Sequence, residues 1–453
     1  MRELTEDLLS SIRPFVSIAE KAGANEAEFF AVNRSEKVVN FENMMLKSAS
    51  SSIVQGVGIR VLVNKALGFT SVNSFDGKKI KEALEDAISI ANTTPSEDHY
   101  SLSSSMKIRS VKGLFDEETA NLSMTEVINQ GKDLLKHIAE ADPRLSVESG
   151  RALSRVSEYG IVTSSGIDSF EKKSTFSWDL FGWAVDGKDI GSFESEADVK
   201  ISVADIDMES GAKMFADKAL QNLSAQKAEA FKGTAIYSPE ATQSLLDMLI
   251  ASSMATVMQA GASFLQDKLG DSIATSDFTL EDNGLTSGSP NSSSFDREGV
   301  PRQPISLVDS GVFKGFLYNT FTANKDDLTS TGHASGGFRS APNIGPTNIE
   351  INPGKKSYDG LLSEVDRGIY IQRVSMSPDI TSGDYSGVIK GGQLIEKGEI
   401  KKTLKEMTVT GNLFEDLKNI TGISKDLKLI RSRYVTGSWS VPYLRIENLD
   451  FAA

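Results

Sequence analysis

The residues best equipped for chemistry lie in Ser330-Thr-Gly-His-Ala-Ser-Gly-Gly337, which holds one of only three histidines in a 453-residue chain that has no cysteine. The glycines around His333 let backbone approach a ligand closely. An imidazole so placed can hydrogen-bond a substrate, or it can bond a nearby carbonyl and pin the loop. Both readings stand at this point. A serine-nucleophile site built on Ser335 has little behind it, because no Gly-x-Ser-x-Gly elbow surrounds it. His99 lies in the polar run Pro95–Tyr100, and His137 lies opposite the apolar stripe of its helix; both read as solvated surface residues. A protein zinc site takes three or four ligands from His, Cys, Asp and Glu. Here the histidines are far apart, none is in a His-Glu motif, and no calcium-loop pattern occurs.

Two further loops carry polar groups suited to a cleft. Ala341–Gly354 combines turn formers with a strand over Thr347–Ile351, whose edge either pairs with an extended chain or is internal to a sheet. Asn343, Thr347 and Asn348 are its candidate substrate contacts, with His333 and Ser335. Ile380–Gly387 is a Gly/Ser/Asp turn that either aims backbone amides into a cleft or leads into the next hairpin. Tyr385 in it is a candidate cover for a side-chain pocket. Asp282–Ser294, rich in Gly, Ser, Asn and Pro, reads as a surface loop. Gly56-Val-Gly-Ile-Arg-Val begins like a dinucleotide fingerprint but lacks the third glycine and the following helix.

The elements that would position these loops follow from periodicity. Ile80, Ala83, Leu84, Ala87, Ile88 and Ala91 predict a helix over 78–92, and Val127, Leu134, Leu135 and Ile138 predict one over 124–140. Strands are expected at 26–32, 36–41, 56–63 and 66–71, with Asn64-Lys65 as a hairpin turn. A similar order returns as strands near 144–150, 153–163 and 168–185, then a helix at 208–223. Phe181–Ser192 echoes the first hairpin, with Asp186-Gly187 as its turn. The repeat suggests an internal duplication; two ordinary α+β lobes are the alternative. The chain turns polar at Gln226–Gly233, which divides it into an N-terminal α+β domain, 1–228, and a β-rich C-terminal domain, 229–453. The latter opens with a helix from Ala241 to about Met258 and has hairpins turning at Asp309–Gly311 and Glu396–Gly398. The fold class expected is α+β.

Composition narrows the function. Charged residues make up 24% and hydrophobic ones 39%, a globular balance. The formal charge is −14, and no basic stripe with interleaved aromatics is present, which argues against nucleic-acid binding. The absence of cysteine removes disulfides, thiolate nucleophiles and zinc–thiolate sites. Met1–Asp7 is acidic with no apolar signal core, and Leu245–Met258 is too short and polar to span a bilayer. A cytoplasmic protein without membrane contact is expected.

Three stretches, in order, resemble the TldD/PmbA family, whose members are often named modulators of DNA gyrase: Phe295–Gln303, Ser330–Gly336 and Ile380–Ser386. The N-terminal pattern with Gly56-Val-Gly-Ile-Arg-Val and Gly68-Phe-Thr-Ser fits too, so the resemblance covers nearly the whole chain. TldD-type members resemble zinc peptidases with a His-Glu-x-x-x-His helix and a cysteine ligand near the C-terminus. The resemblance sets Asp247, Met248 and Ser252 at the matching helix positions and Val435–Pro442 at the cysteine region, so neither ligand group survives. This resembles the PmbA arm, also called TldE. It implies a zinc-free, non-catalytic subunit that needs no cofactor of its own, with zinc only in a TldD-type partner, and that shapes a cleft for extended or unfolded peptides. The alternative is a stand-alone homodimeric peptide-binding protein of the same fold. An independent hydrolase using His333 is a third reading.

Overall fold

Strand alternation in the first half has a two-sided outcome. Ala27, Phe29 and Ala31 point one way and Glu28, Phe30 and Val32 the other; on the neighbouring strand Val57, Ile59 and Val61 oppose Gly56, Gly58 and Arg60. In the computed structural model, which describes residues 8–431 and 437–453, these residues form β1 (Glu26–Glu42) and β2 (Met45–Val63) of one antiparallel sheet. Helices α1 (Arg13–Lys21) and α2 (Gly77–Thr93) cover the odd-numbered face of β1 and β2. The even-numbered face meets loops of the second half, where Phe30, Val32 and Ile161 pack with Phe295 and Phe338.

The sheet continues through β3 (Ala66–Val72), β4 (Leu145–Thr163), β5 (Asp168–Asp186), the short β6 (Asp189–Ile190) and β7 (Glu194–Lys200). Its order is β3-β2-β1-β4-β5, with β6 and β7 both pairing β5. Three short helices or turns aside, the chain runs helix, three strands, helix twice: α1–β1–β2–β3–α2, then α4 (Met124–Ala141), β4, β5, β7 and α5 (Met208–Gln221), with α3 (Glu117–Asn121) between. The halves meet at the β1–β4 pair in a single sheet. The separate strands expected at 26–32 and 36–41 are one strand, as are those at 144–150 and 153–163. Polar residues between the expected strands are satisfied across the ladder: Asn33 donates to Glu158 at 3.0 Å and Arg151 to Asp179 at 2.5 Å. Asn64 and Lys65 have φ of 48° and 67°, the left-handed pair that a tight two-residue hairpin turn requires.

The second sheet draws its strands from residues 231–452, and two short strands within that span, Ala334–Ser335 and Asn343–Ile344, form a separate pair. In chain order these elements are β8 (Phe231–Tyr237), α6 (Pro239–Ser252), α7 (Ala255–Gln259), β9 (Leu280–Asn283), β10 (Pro304–Asp309), β11 (Val312–Phe313) and α8 (Thr320–Lys325). Then come β12 (Ala334–Ser335), β13 (Asn343–Ile344), β14 (Asn348–Ile351), α9 (Tyr358–Leu362), β15 (Arg367–Pro378) and β16 (Asp384–Glu396). The last are β17 (Glu399–Thr403), β18 (Met407–Asn412), α10 (Leu413–Lys418), β19 (Ile420–Arg431) and β20 (Ser438–Ala452). Strands β8, β15, β16, β18 and β20 close a ring, because β20 pairs β18 on one side and β8 on the other. Helix α6 packs against β15, β19 and β20. It buries ten of its 14 residues, the all-round burial of a core helix rather than of a surface one. The expected helix to Met258 breaks at Ser253-Met254 and resumes as α7.

One loop alternative is decided and one loop expectation is corrected. Strand β14 has no free edge, since β9 pairs one side and β20 the other. Asp282–Ser294 is not a surface loop: Asp282 and Ser292 are fully buried, and Ser289 and Ser292 both bond the Asn348 side chain. Ile380–Ser382 is a turn held by Asp379, which accepts from Thr381 N at 2.8 Å, and it leads directly into β16. Met1–Asp7 and, in the cysteine-ligand region, Val435-Thr436 lie outside the described residues.

Candidate functional site

The histidine-bearing loop is seated on the first sheet. A side chain at Gly56 would meet the Phe338 ring at 2.3 Å, and one at Gly58 the Phe338 carbonyl at 2.6 Å. The two glycines of Gly56-Val-Gly58 therefore make a flat bed for the end of this loop. Next to them on the same face lies Arg60, paired in register with Glu28. Arg60 donates to Glu28 at 2.5 Å and to Glu298 at 2.7 Å, and Arg297 donates to the other Glu28 oxygen at 2.7 Å. The Arg297 guanidinium stands 3.9 Å from the centre of the Phe30 ring. All four charged groups are at most 7% exposed. Burial raises the Glu298 carboxyl, but the Arg60 charge and the Thr320 donors outweigh it and hold it below its usual value. Burial pushes the neighbouring Asp296 up to about 6, helped by the Glu298 charge, although three backbone amides, of Ala334, Glu298 and Val300, donate to it.

His333 is fully buried. Its Nδ1 lies 2.9 Å from Thr331 Oγ1 and 3.0 Å from the Thr331 carbonyl, and its Nε2 lies 3.3 Å from Asp282 Oδ2. Asp282 also accepts from the backbone N–H groups of Thr347 and Asn348 and from the Thr347 hydroxyl. Burial raises this carboxyl, but His333 and the Thr347 donors hold it below the usual range. His333 thus ties the loop to β9, and Asp282 ties β9 to the start of β14. The second ring nitrogen is engaged by Thr331, not by Ser335, so no Ser–His–Asp relay is assembled.

Of the sequence-predicted contacts, His333, Thr347 and Asn348 form this interior network. Ser335, half-buried, and Asn343, exposed, are register partners in the β12–β13 pair at the surface. Tyr385 belongs to another network: it is 5% exposed and donates to Asp416 at 2.5 Å.

On α6, Asp247 is half-buried and accepts from the Gln243 side chain; Met248 lies in the hydrophobic core and Ser252 is fully buried. One carboxylate, one core thioether and one hydroxyl do not fit a zinc ion. Among the described residues no cluster of three or more His, Asp or Glu side chains could hold a metal. At the N-terminus of the same helix Glu240 accepts from Lys218 at 2.5 Å and Lys428 at 2.7 Å, and Glu196 accepts from both lysines. Sequence reasoning missed Glu28, Arg60, Arg297 and Glu298. The available signal was a single charged residue inside each of the otherwise apolar runs Ala27–Val32 and Val57–Val63.

The same fold occurs in proteins already solved. Residues 231–453 match the PmbA/TldA metallopeptidase C-terminal domain and residues 27–91 match PmbA/TldA metallopeptidase domain 1. The class is metallopeptidase-like, and the chain belongs to the TldD/PmbA family. An uncharacterised protein of Methanocaldococcus jannaschii is 29% identical over 90% of this chain and 93% of its own. A metalloprotease PmbA homologue of Haemophilus influenzae is 24% identical over 97% of this chain and 96% of its own. The crystal structure of TldE from Thermococcus kodakarensis superposes with a TM-score of 0.91 at 23% identity, covering 98% of this chain and all of that one; it shares the α+β fold. No helix among the described residues is long and apolar enough to cross a membrane.

Proposed function

We propose that the chain is the zinc-free, TldE-like subunit of a TldD-type metallopeptidase, and that it shapes a cleft for extended peptides while the partner supplies the metal. The observation that carries this is the donor set on α6: Met248 is 3% exposed in the core and Ser252 is fully buried, so the positions that would ligate zinc are given to packing. The likeness to TldE in fold, and the existence of both PmbA and TldD homologues among the relatives, support it. The subunit contributes positioning: a substrate held in one extended geometry reaches a partner's reactive group at lower entropic cost. The test is metal analysis of the purified chain, followed by peptide hydrolysis with and without an associated TldD-type subunit. The expected result is no stoichiometric zinc, no cleavage alone, and a gain on mixing. One tightly bound zinc per chain, or cleavage by the chain alone, overturns the reading. A stable homodimer that binds peptide and ignores TldD-type chains turns it into the stand-alone binder.

A further inference from the structure

The first sheet has an open side. From Met45 to Gln55, β2 pairs β1 on one side, whereas β3 begins to pair the other only at Val57↔Val72. Among the described residues no strand borders Met45–Gln55 on that side. Met45–Ile53 is exposed without a break, with Met45 at 67% and Ile53 at 69%. This is a strand of about 37 Å, at about 3.4 Å per residue, with backbone donors and acceptors facing water. Soluble proteins protect such edges with bulges, prolines or inward charges. Here a bulge at Lys47, the single charge along the edge and paired to Glu42, guards only its hairpin end; Ser48–Gln55 has no bulge, proline or charge.

We infer that the Met45–Gln55 edge is a docking strand for an extended polypeptide, which adds to the sheet by backbone pairing. This rests on the peptide-holding role proposed above and gives that role a place. Two features favour a peptide as the occupant. The small serine and alanine side chains impose no side-chain register, so the edge reads backbone and tolerates sequence. The edge also runs into a cavity of about 460 Å³ lined by Ile53, Val54, Gln55, Asn73 and Arg339. There the exposed Arg339, 3.4 Å from Asn73 Oδ1, offers its guanidinium to a carboxylate at the peptide's end. Arg339 belongs to the same loop as His333, so a strand added here ends beside the exposed Gly336-Gly337. A second copy pairing antiparallel about Ser50 would instead set Lys47, Leu46 and Met45 against Ile53, Val54 and Gln55, place a cation rather than a carboxylate at the Arg339 end, and bring together two chains of charge −14.

The absence of cysteine makes the test clean, because Ser51→Cys creates a unique attachment point for a nitroxide. The probe is a short fluorescein-labelled Thr/Val peptide with a free C-terminal carboxylate, paired with the same peptide N-methylated at alternate amides. The full chain should bind the first peptide, the label at position 51 should become immobilised on binding, and N-methylation should weaken binding by about tenfold or more, the equivalent of one or two backbone hydrogen bonds. Arg339→Gln should weaken the carboxylate-ended peptide and leave its C-terminal amide unaffected. Binding without immobilisation of the label, or equal binding of the N-methylated peptide, overturns the edge assignment and leaves the subunit role standing. A label already immobile without peptide, in a species of twice the mass, assigns the edge to a second copy and overturns the inference. Failure of the chain to bind the peptide at all, alone or with a TldD-type subunit, sinks both.

Discussion

Two ionic clusters join the first sheet to the second half of the chain, and they differ in how far water reaches them. In the Arg60 cluster, Glu28, Glu298 and Arg297 are at most 3% exposed. In the Lys218 cluster, the Lys428 and Glu240 side chains are 28% and 21% exposed. The first has no solvent to compensate a lost partner; the second has. Burial also separates their acid behaviour. It drives Asp296 above its usual value beside the first cluster, whereas in the second the charges of Lys218 and Lys428 overcome burial and hold Glu240 below its own. The lesson is that an ion pair's worth depends on what is left behind when it is broken.

The sharpest way to break that comparison is Arg60→Met. It leaves the buried Glu298 without a cation and Glu28 with Arg297 alone, and a loss of about 3–5 kcal/mol is expected, read as a drop in urea midpoint. A loss below 1 kcal/mol would mean that water enters the seam. Next, Gly58→Ala drives a methyl into the Phe338 carbonyl, and because that neighbour is backbone the loop must lift, costing about 2–3 kcal/mol. Protease cleavage within 330–341 should accelerate. The pH dependences should diverge as well. Asp296 is raised from 3.8 to about 6, so the folded state holds a proton that the unfolded chain releases, and this contribution falls as pH rises from about 4 to about 6. The stability of Asp296→Asn relative to the native chain should therefore rise across that window, by on the order of 2 kcal/mol. Glu240→Gln should behave oppositely. The lowered Glu240 contributes stability above its unfolded value of 4.5 that is lost as pH falls through the folded value, so this variant should lose more at pH 7 than at pH 3. The smallest effect is expected for Lys428→Met, about 1 kcal/mol or less, because Lys218 still faces Glu196 and Glu240.

Much of the local structure was legible in the sequence, because it is written in short-range periodicity and turn chemistry. The helix at Gly77–Thr93 and the Asn64-Lys65 turn are examples. The α+β class and the family resemblance were legible from ordered motifs. The seam was not, because Arg60 and Glu298 are separated by 238 residues in sequence, and no local pattern announces such a pair. Gly56 and Gly58 resemble the start of a nucleotide fingerprint in sequence, whereas their use is to admit Phe338. Asn33, Arg34 and Ser35, which separate the strands expected at 26–32 and 36–41, continue the ladder; cross-strand partners of polar residues are invisible in one strand alone. His333 could be seen to matter but not to face inward, since the partner that draws it in, Asp282, lay in a segment that composition marks as loop.

The closed ring of the second half has a consequence for how the molecule is made. Strand β20 touches β8, β14, β18 and β19, and all four are synthesised before it. While the ribosome is still at work, β8 and β18 wait with bare flanks and α6 lacks one wall. Long-range pairing of this kind is slow to form, and the nascent chain is at its stickiest just before β20 emerges.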